Sequence, residues 1–142
     1  MVKIVSEKLN IINKKNGSIF PILKSTSEFF VDFGEVYISS LDTGVTRAWK
    51  KHKSLNQYFV VPIGEVKFVF LVDEKKGKNK FKEIIIGENN YSFIKVPSNV
   101  WYGFSNICSN TSYVVNVIDL LHSEGNSESR DYKDNPLEGY SW

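Results

Sequence analysis

The 142-residue sequence predicts an all-β fold, an antiparallel sandwich or barrel. Three observations lead there. Short runs rich in Val, Ile, Phe and Tyr recur along the chain, turn signals separate them, and no helical period lasts beyond about three turns. In chain order, "NKKNGSIF" is polar around Gly17 and marks a turn. "STSEFF" sets Ser25 and Glu28 at capping-box spacing, which predicts the start of a short helix. Strands are then expected in "EVYISSL", "QYFVVPI", "EVKFVFLV", "FKEIIIG", "YSFIKV", "VWYGFSN" and "SYVVNVIDLL". Gly64-Glu65 suits a type II′ hairpin turn between two of them, and "DEKKGKNK" suits a longer hairpin loop. From Leu121 the chain becomes polar but ends in Tyr140 and Trp142. Two aromatics on a polar tail predict docking on the body or on a partner subunit, the alternative being a frayed end. No repeat and no second domain interrupts residues 1–142.

Composition excludes several function classes. The chain is 42% hydrophobic, enough for a packed core rather than disorder. A net charge of +2 lacks the clustered basic excess of a nucleic-acid binder. No run approaches the roughly 18 apolar residues of a membrane span. The single cysteine, Cys108, makes no internal disulfide, and "MVKIVSEKLN" lacks an apolar leader, so a cytoplasmic setting is expected. Cys108 has no activating neighbour in sequence and is expected to be inert. The run Lys75, Lys76, Lys78, Lys80 and Lys82 is expected to be a solvated hairpin.

The stretch "GVTRAWKKHKSLNQYFVVPIG", Gly44 to Gly64, resembles the first motif of the cupins in spacing. "PSNVWYGFSN" resembles the second, with Pro97 and Asn106 kept and Asn99 in the glycine position. Two such frames in order imply a double-stranded β-helix, the jelly roll. The four positions that hold a metal in cupins carry Lys50, His52, Gln57 and Tyr102. Only His52 is a routine ligand, so neither metal nor other cofactor is expected.

"GVTRAWKKH", "VPSNVWYGF", "ESRDYKDNPLEGYSW" and "NGSIFPILKSTSEFFVDFGEVYISS" together resemble the dTDP-4-dehydrorhamnose 3,5-epimerase family of metal-free cupins, especially its shorter relatives. The resemblance implies a homodimer, a nucleotide-linked 4-keto sugar as substrate, and a substrate contact at Arg47. It also shows a changed catalytic set. The family's base histidine falls at Lys50, its following Gln at His52, a lysine at Gln57 and a second histidine at Tyr102. Its acid tyrosine falls near Asn116, Asp119 and His122, and its orienting aspartate near Asp134 and Asn135.

Epimerisation beside a ketone needs a base for the α-proton, a cation or donor for the enolate oxygen, and a proton source. His52 is the first candidate base, with an acid limb expected near its reference value of about 6.5. Lys50 is the second, and would need its value lowered by about three units. Lys50 or Arg47 suits the enolate, Tyr102 suits proton delivery, and Gln57, Asn116 and Asp119 suit substrate binding. If the strand is regular, Lys50 and His52 share an inward face. Each residue also has a structural alternative: an exposed basic edge for Lys50 and His52, an ion pair for Arg47, a core aromatic for Tyr102. Two function classes therefore stand at this point, a metal-independent nucleotide-sugar epimerase or keto-isomerase of deoxysugar or cell-envelope polysaccharide synthesis, and a non-catalytic cupin that binds sugar nucleotides or glycans. A small-molecule sensor or partner-binding subunit is a third.

Overall fold

A computed structural model describes residues 1–123 and 125–142; Glu124, in the polar tail, lies outside the described residues. Among the described residues twelve strands run in the order β1 (Val5–Lys8), β2 (Ile12–Lys14), β3 (Gly17–Ile19), β4 (Glu35–Leu41), β5 (Thr46–His52), β6 (Gln57–Ile63), β7 (Glu65–Asp73), β8 (Lys80–Gly87), β9 (Ser92–Val96), β10 (Tyr102–Asn106), β11 (Ser112–Ile118) and β12 (Ser127–Ser129). They form two five-stranded sheets, β1-β9-β6-β11-β4 and β12-β5-β10-β7-β8, with β2-β3 as a separate ribbon. Every pairing is antiparallel. This is the all-β jelly roll that the two motif frames imply.

The central strands explain why two runs are apolar without a break. Phe59 and Val61 of β6 meet Val66, Phe68 and Phe70 of β7 between the sheets. On the opposite face of β6, Tyr58 and Val60 are covered by Ile22, Leu23 and Phe29 of the N-terminal segment. On the opposite face of β7, Val69 and Leu71 are covered by Trp101, Trp49 and Leu137 of the C-terminal tail. Each sheet thus has one face on the core and part of the other under one end of the chain, so alternation is lost in both strands.

Two local expectations are corrected. No helix starts at Ser25. Lys24 to Phe30 forms successive turns, with Ser27 N donating to Lys24 O and Phe30 N to Ser27 O, both at 3.0 Å. Carbonyls of this segment are taken by side chains instead: Tyr58 Oη donates to Ile22 O at 2.8 Å and Lys95 Nζ to Phe29 O at 3.0 Å. Gly64-Glu65 is not a hairpin turn. β6 pairs with β9 and β11, β7 with β8 and β10, so the chain crosses from one sheet to the other there. Gly64 has φ of 88° and packs on Ser112, so both its backbone angle and the space demand glycine. "DEKKGKNK" does close the β7–β8 hairpin.

Both motif frames have a backbone explanation. Asn99 takes φ of 62°, a conformation that asparagine tolerates better than most side chains, which lets it occupy the glycine position. Asn106 is a structural hub: its Nδ2 donates to Leu41 O and Asn110 O, and its Oδ1 accepts from Cys108 N and Ser112 Oγ. Cys108 Sγ lies 3.2 Å from Ser112 Oγ, and this hydrogen bond lowers the thiol's pKa. The thiol thus has a neighbour that sequence order hides.

Candidate active site

β5 and β10 build the site. Lys50 lies opposite Tyr102, but the register then shifts and Ala48 lies opposite Gly103. Trp49, between them, packs its ring into the cluster with Leu137 and Trp101. The shift brings Arg47 and Lys50, three residues apart, to the wall of one cavity of about 490 Å³. Tyr102 also lines it, with Phe59, Tyr37 and Asn116 from the neighbouring sheet. Ser129, Arg130 and Asp131 of the tail complete the wall.

The inner side is a chain of buried amides and hydroxyls. Tyr102 Oη donates to Gln57 Oε1 at 3.0 Å, and Asn116 Nδ2 donates to the same oxygen at 3.0 Å. Asn116 Nδ2 also donates to Tyr37 Oη at 2.8 Å. The Tyr37 hydroxyl proton has no acceptor among the described residues, and the residue lines the cavity. His52 is 2% exposed, with Nε2 3.4 Å from Tyr102 Oη. In one tautomer Nε2 donates to that oxygen; in the other it is ready to accept its proton.

Burial keeps His52 neutral. Desolvation, followed by the charges of Lys50 and His122, lowers its pKa from 6.5 to about 4. The acid limb expected near 6.5 from the sequence therefore moves to about 4. Burial also raises the Tyr102 phenol, with Gln57 opposing, so it stays protonated at neutral pH. A stability prediction follows with a definite sign. Between pH 6.5 and about 4 the unfolded chain protonates His52 and the folded chain does not, so the stability present above pH 6.5 is lost as pH falls through that window. The loss amounts to about 3 kcal/mol. Urea unfolding of wild type should weaken over this range, and that of His52→Asn should weaken less by about that amount. Parallel pH profiles for the two proteins would contradict it.

The sequence-predicted residues divide into three groups. Lys50, Tyr102, Arg47 and Asn116 line the cavity. Gln57 and His52 stand behind it in the hydrogen-bonded chain. Asp119 is elsewhere: its carboxylate accepts from Asn56 N and Asn56 Nδ2 and fixes the β5–β6 loop, so it is a structural clamp outside this cavity. It forms no dyad with His122, whose ring meets His52 edge-on at 5.7 Å. Nor does Asp134 orient a base; its amide caps onto Asp131 Oδ1. Tyr37, Arg130 and Asp131 were not anticipated. For Tyr37 the available signal was its inward parity in "EVYISSL", where Val36 and Ile38 face out at 51% and 64% exposure.

Arg47 reaches Ser40 O with Nη2 at 3.2 Å. Among the described residues, Arg47, Lys50 and Arg130 form no salt bridge. Arg47 and Lys50 on one cavity wall, with the one nearby carboxylate of Asp131 already accepting two backbone amides, suit an anionic ligand, while the Arg130 guanidinium lies over the Trp101 ring. Among the described residues no three His, Cys, Asp or Glu side chains cluster as metal ligands would.

No family model matches the chain. Among curated proteins, the probable low-salt glycan biosynthesis epimerase Agl13 of Haloferax volcanii is 27% identical over 113 residues, covering 76% of this chain and 72% of the relative. Among solved structures, a dTDP sugar isomerase from Desulfovibrio desulfuricans G20 superposes with a TM-score of 0.90 at 29% identity, over 98% of this chain and 90% of that one. This chain is similar to the dTDP-sugar epimerases and isomerases in both sequence and fold. The 3,4-ketoisomerase QdtA of Thermoanaerobacterium thermosaccharolyticum, as a mutant in complex with TDP-4-keto-6-deoxyglucose, superposes with a TM-score of 0.74 at 21% identity, over 94% of this chain and 91% of that one. At that identity the likeness speaks for the fold alone.

Proposed function

We propose that the protein is a metal-independent nucleotide-sugar epimerase or keto-isomerase that enolises a 4-keto sugar nucleotide for deoxysugar or cell-envelope polysaccharide synthesis. The observation that carries this reading is the placement of Lys50 and Tyr102 as strand neighbours on the wall of one cavity, with Arg47 beside them. The reaction runs as follows. Tyr102 Oη takes the proton from the carbon beside the ketone while its own proton turns from Gln57 Oε1 to neutral His52 Nε2, in the tautomer that leaves Nε2 bare. The C–H electron pair moves into the ring to form the enolate, whose oxygen the Lys50 ammonium holds. Return of a proton from the opposite face gives the epimer; return to the former carbonyl carbon, with loss of the neighbouring hydroxyl proton, moves the ketone. Tyr37, which lines the cavity and accepts from Asn116, supplies that second proton in this reading. Gln57 and Asn116 orient Tyr102 and Tyr37, and Arg47 holds the diphosphate.

The reading is tested first by binding. A ligand at about a hundred times its Kd stabilises the folded state by about 2.7 kcal/mol, several degrees of melting temperature for a chain of this size. At least one of the dTDP-, UDP-, GDP- and CDP-linked sugars should do so; a panel that leaves the transition unmoved contradicts the proposal. A non-catalytic sugar-nucleotide binder is the second reading, favoured by one observation: His52 stands behind Tyr102 rather than on the cavity surface. Solvent exchange at the substrate carbon separates the two.

The homodimer belongs to the same proposal. Among the described residues β4 ends its sheet, with one side of its ladder unpaired, and it shows Val36 and Ile38 to solvent. Phe33, just before it, is 59% exposed. A second copy of the chain covers this face in a two-fold arrangement. Sedimentation at micromolar concentration should give a dimer for wild type and a monomer for Ile38→Lys; a monomeric wild type would remove this part of the account. No helix among the described residues is long and apolar enough to cross a membrane, and a cytoplasmic site of action fits the nucleotide-linked substrate.

A further inference from the structure

The residues that move or hold the first proton in the reading above all stand at strand ends. His52 is the last residue of β5, Gln57 the first of β6 and Tyr102 the first of β10. A strand end is held by its ladder on one side only, so the loop beyond it settles where the side chain sits. The contact that matters is a long one. His52 Nε2 lies 3.4 Å from Tyr102 Oη, beyond the usual range of a hydrogen bond. A small movement there decides whether a proton can pass.

One carboxylate ties together the loops beside these ends. Asp119 follows the last residue of β11. Its Oδ1 accepts from Asn56 N at 2.8 Å and its Oδ2 from Asn56 Nδ2. Asp119 N donates back to Asn56 O at 3.4 Å. The other end of the Asn56 amide, Oδ1, accepts from Ser98 N at 3.3 Å. The next amide along, Asn99 N, donates to His52 O at 2.6 Å. Asn56 thus joins the end of β11 to the loop ahead of Tyr102, and that same loop grips the backbone of His52. Leu55, 1% exposed, anchors the β5–β6 loop from within.

Neither Asp119 nor Asn56 lines the ligand cavity, and both are half-buried. Among the described residues Asp119 forms no salt bridge. Its charge is spent on two N–H donors of one residue, and bonds of that kind are stronger than neutral ones. The effect reaches the site along the chain. Asn56 immediately precedes Gln57, whose Oε1 holds the Tyr102 hydroxyl at 3.0 Å.

We propose that Asp119 and Asn56 are positioning residues for proton removal: with the Ser98 and Asn99 amides they form a clamp outside the cavity that sets the reach from His52 to Tyr102. This rests on the enolisation reading above, because it assigns the clamp to the step in which Tyr102 passes its proton to His52. The clamp touches no ligand. It acts through the backbone of His52 and Gln57 and through the loop that leads to Tyr102.

Reciprocal exchange of the two side chains tests it. Asp119→Asn, in either orientation of its amide, sets a donor against one of the two Asn56 donors, and Asn56→Asp sets two carboxylates against each other. Either change breaks the clamp. The double variant restores it: the amide on residue 119 donates to the carboxylate on residue 56, and the backbone amides of residues 56 and 98 keep their acceptors. The first readout is NMR titration of the His52 imidazole. The chain has two histidines, so a His122→Gln background, common to all samples, leaves one signal. The other groups facing His52 are Lys50 of its own strand and Tyr102 of β10, and neither is altered. With the clamp intact the midpoint should lie at about 4. Each single variant should move it toward 6.5 as water gains the ring, and the exchanged pair should bring it back. The second readout is steady-state kinetics on whichever of the dTDP-, UDP-, GDP- and CDP-linked 4-keto sugars wild type converts. Each single variant should lose about 10² in kcat, with KM within about twofold, and the exchanged pair should recover most of the loss. Melting curves show which variants are folded, and Asn56→Ser, which keeps the backbone bond to Asp119, replaces a single variant that is not. Single variants that titrate and turn over as their parent does, or an exchanged pair no better than either single variant, overturn the clamp proposal while the enolisation reading stands. A wild type that converts no 4-keto sugar nucleotide overturns the enolisation reading itself, and with it the clamp's part in proton removal.

Discussion

Lys50→Met is expected to fold, to bind its sugar nucleotide, and to lose about 10²–10³ in kcat, or about 2.7–4 kcal/mol, the range for one lost oxyanion donor. Lys50 lines the cavity and, among the described residues, forms no salt bridge, so removing its charge strands no buried carboxylate. Methionine keeps the length and apolar stem, so the wall between Arg47 and Tyr102 keeps its shape. What disappears, on the proposed mechanism, is the cation beside the developing enolate, which counts most in the transition state. The loss should therefore fall on kcat, with KM altered much less. Arg47→Gln should show the opposite split, because a diphosphate contact is made equally in ground and transition states. A Lys50→Met protein with unchanged kcat would show that the cavity lysine has no part in the chemistry.

Phe68→Ala is expected to have the largest effect on stability, about 3–5 kcal/mol. Phe68 is fully buried and its ring meets Phe59 at 5.1 Å and Phe104 at 5.3 Å. Phe59 in turn meets Tyr102 at 5.6 Å. The cavity's aromatic floor therefore rests on Phe68. Both sheets close around this stack, so the void cannot collapse without moving β6 or β10, and the destabilisation should approach the upper part of that range. Urea unfolding gives the number directly. A loss below about 1 kcal/mol would mean that the sheets repack and that the cavity floor is not rigid.

Several elements could be read from the chain before its structure. "EVYISSL" and "QYFVVPI" coincide with β4 and β6, because each is a compact β-branched and aromatic run bounded by turn residues. Lys50 and Tyr102 reach the cavity because the two motif frames place β5 and β10 side by side, and Asn116 reaches it from β11 of the facing sheet. Other features depend on contacts between distant segments and left little trace. Ser127–Ser129 has no strand composition; it pairs because β5 offers a free edge and the aromatics beyond it find a surface. Arg47 reaches the Lys50 wall only through the register shift at Tyr102 and Gly103, which parity along one strand does not reveal. His52 has the inward parity expected of it, yet lies behind Tyr102 because it is the last residue of β5. Asp119 looked available at a strand end, and the Asn56 loop claims it. The capping-box spacing at Ser25 was outweighed by tertiary partners for the segment's carbonyls.

The most direct test is to incubate the protein in heavy water with each 4-keto nucleotide sugar that it binds, and to follow deuterium at the carbons beside the ketone by mass spectrometry and NMR. On the proposed mechanism, enolisation by Tyr102 and His52 exchanges that hydrogen with solvent even when the equilibrium favours the starting sugar. Wild type should incorporate deuterium at one such carbon, Tyr102→Phe should lose nearly all of it, and incorporation should persist down to about pH 4, where His52 gains its proton. No incorporation into any bound 4-keto sugar nucleotide would contradict the account and leave a cupin that binds its ligand without transforming it.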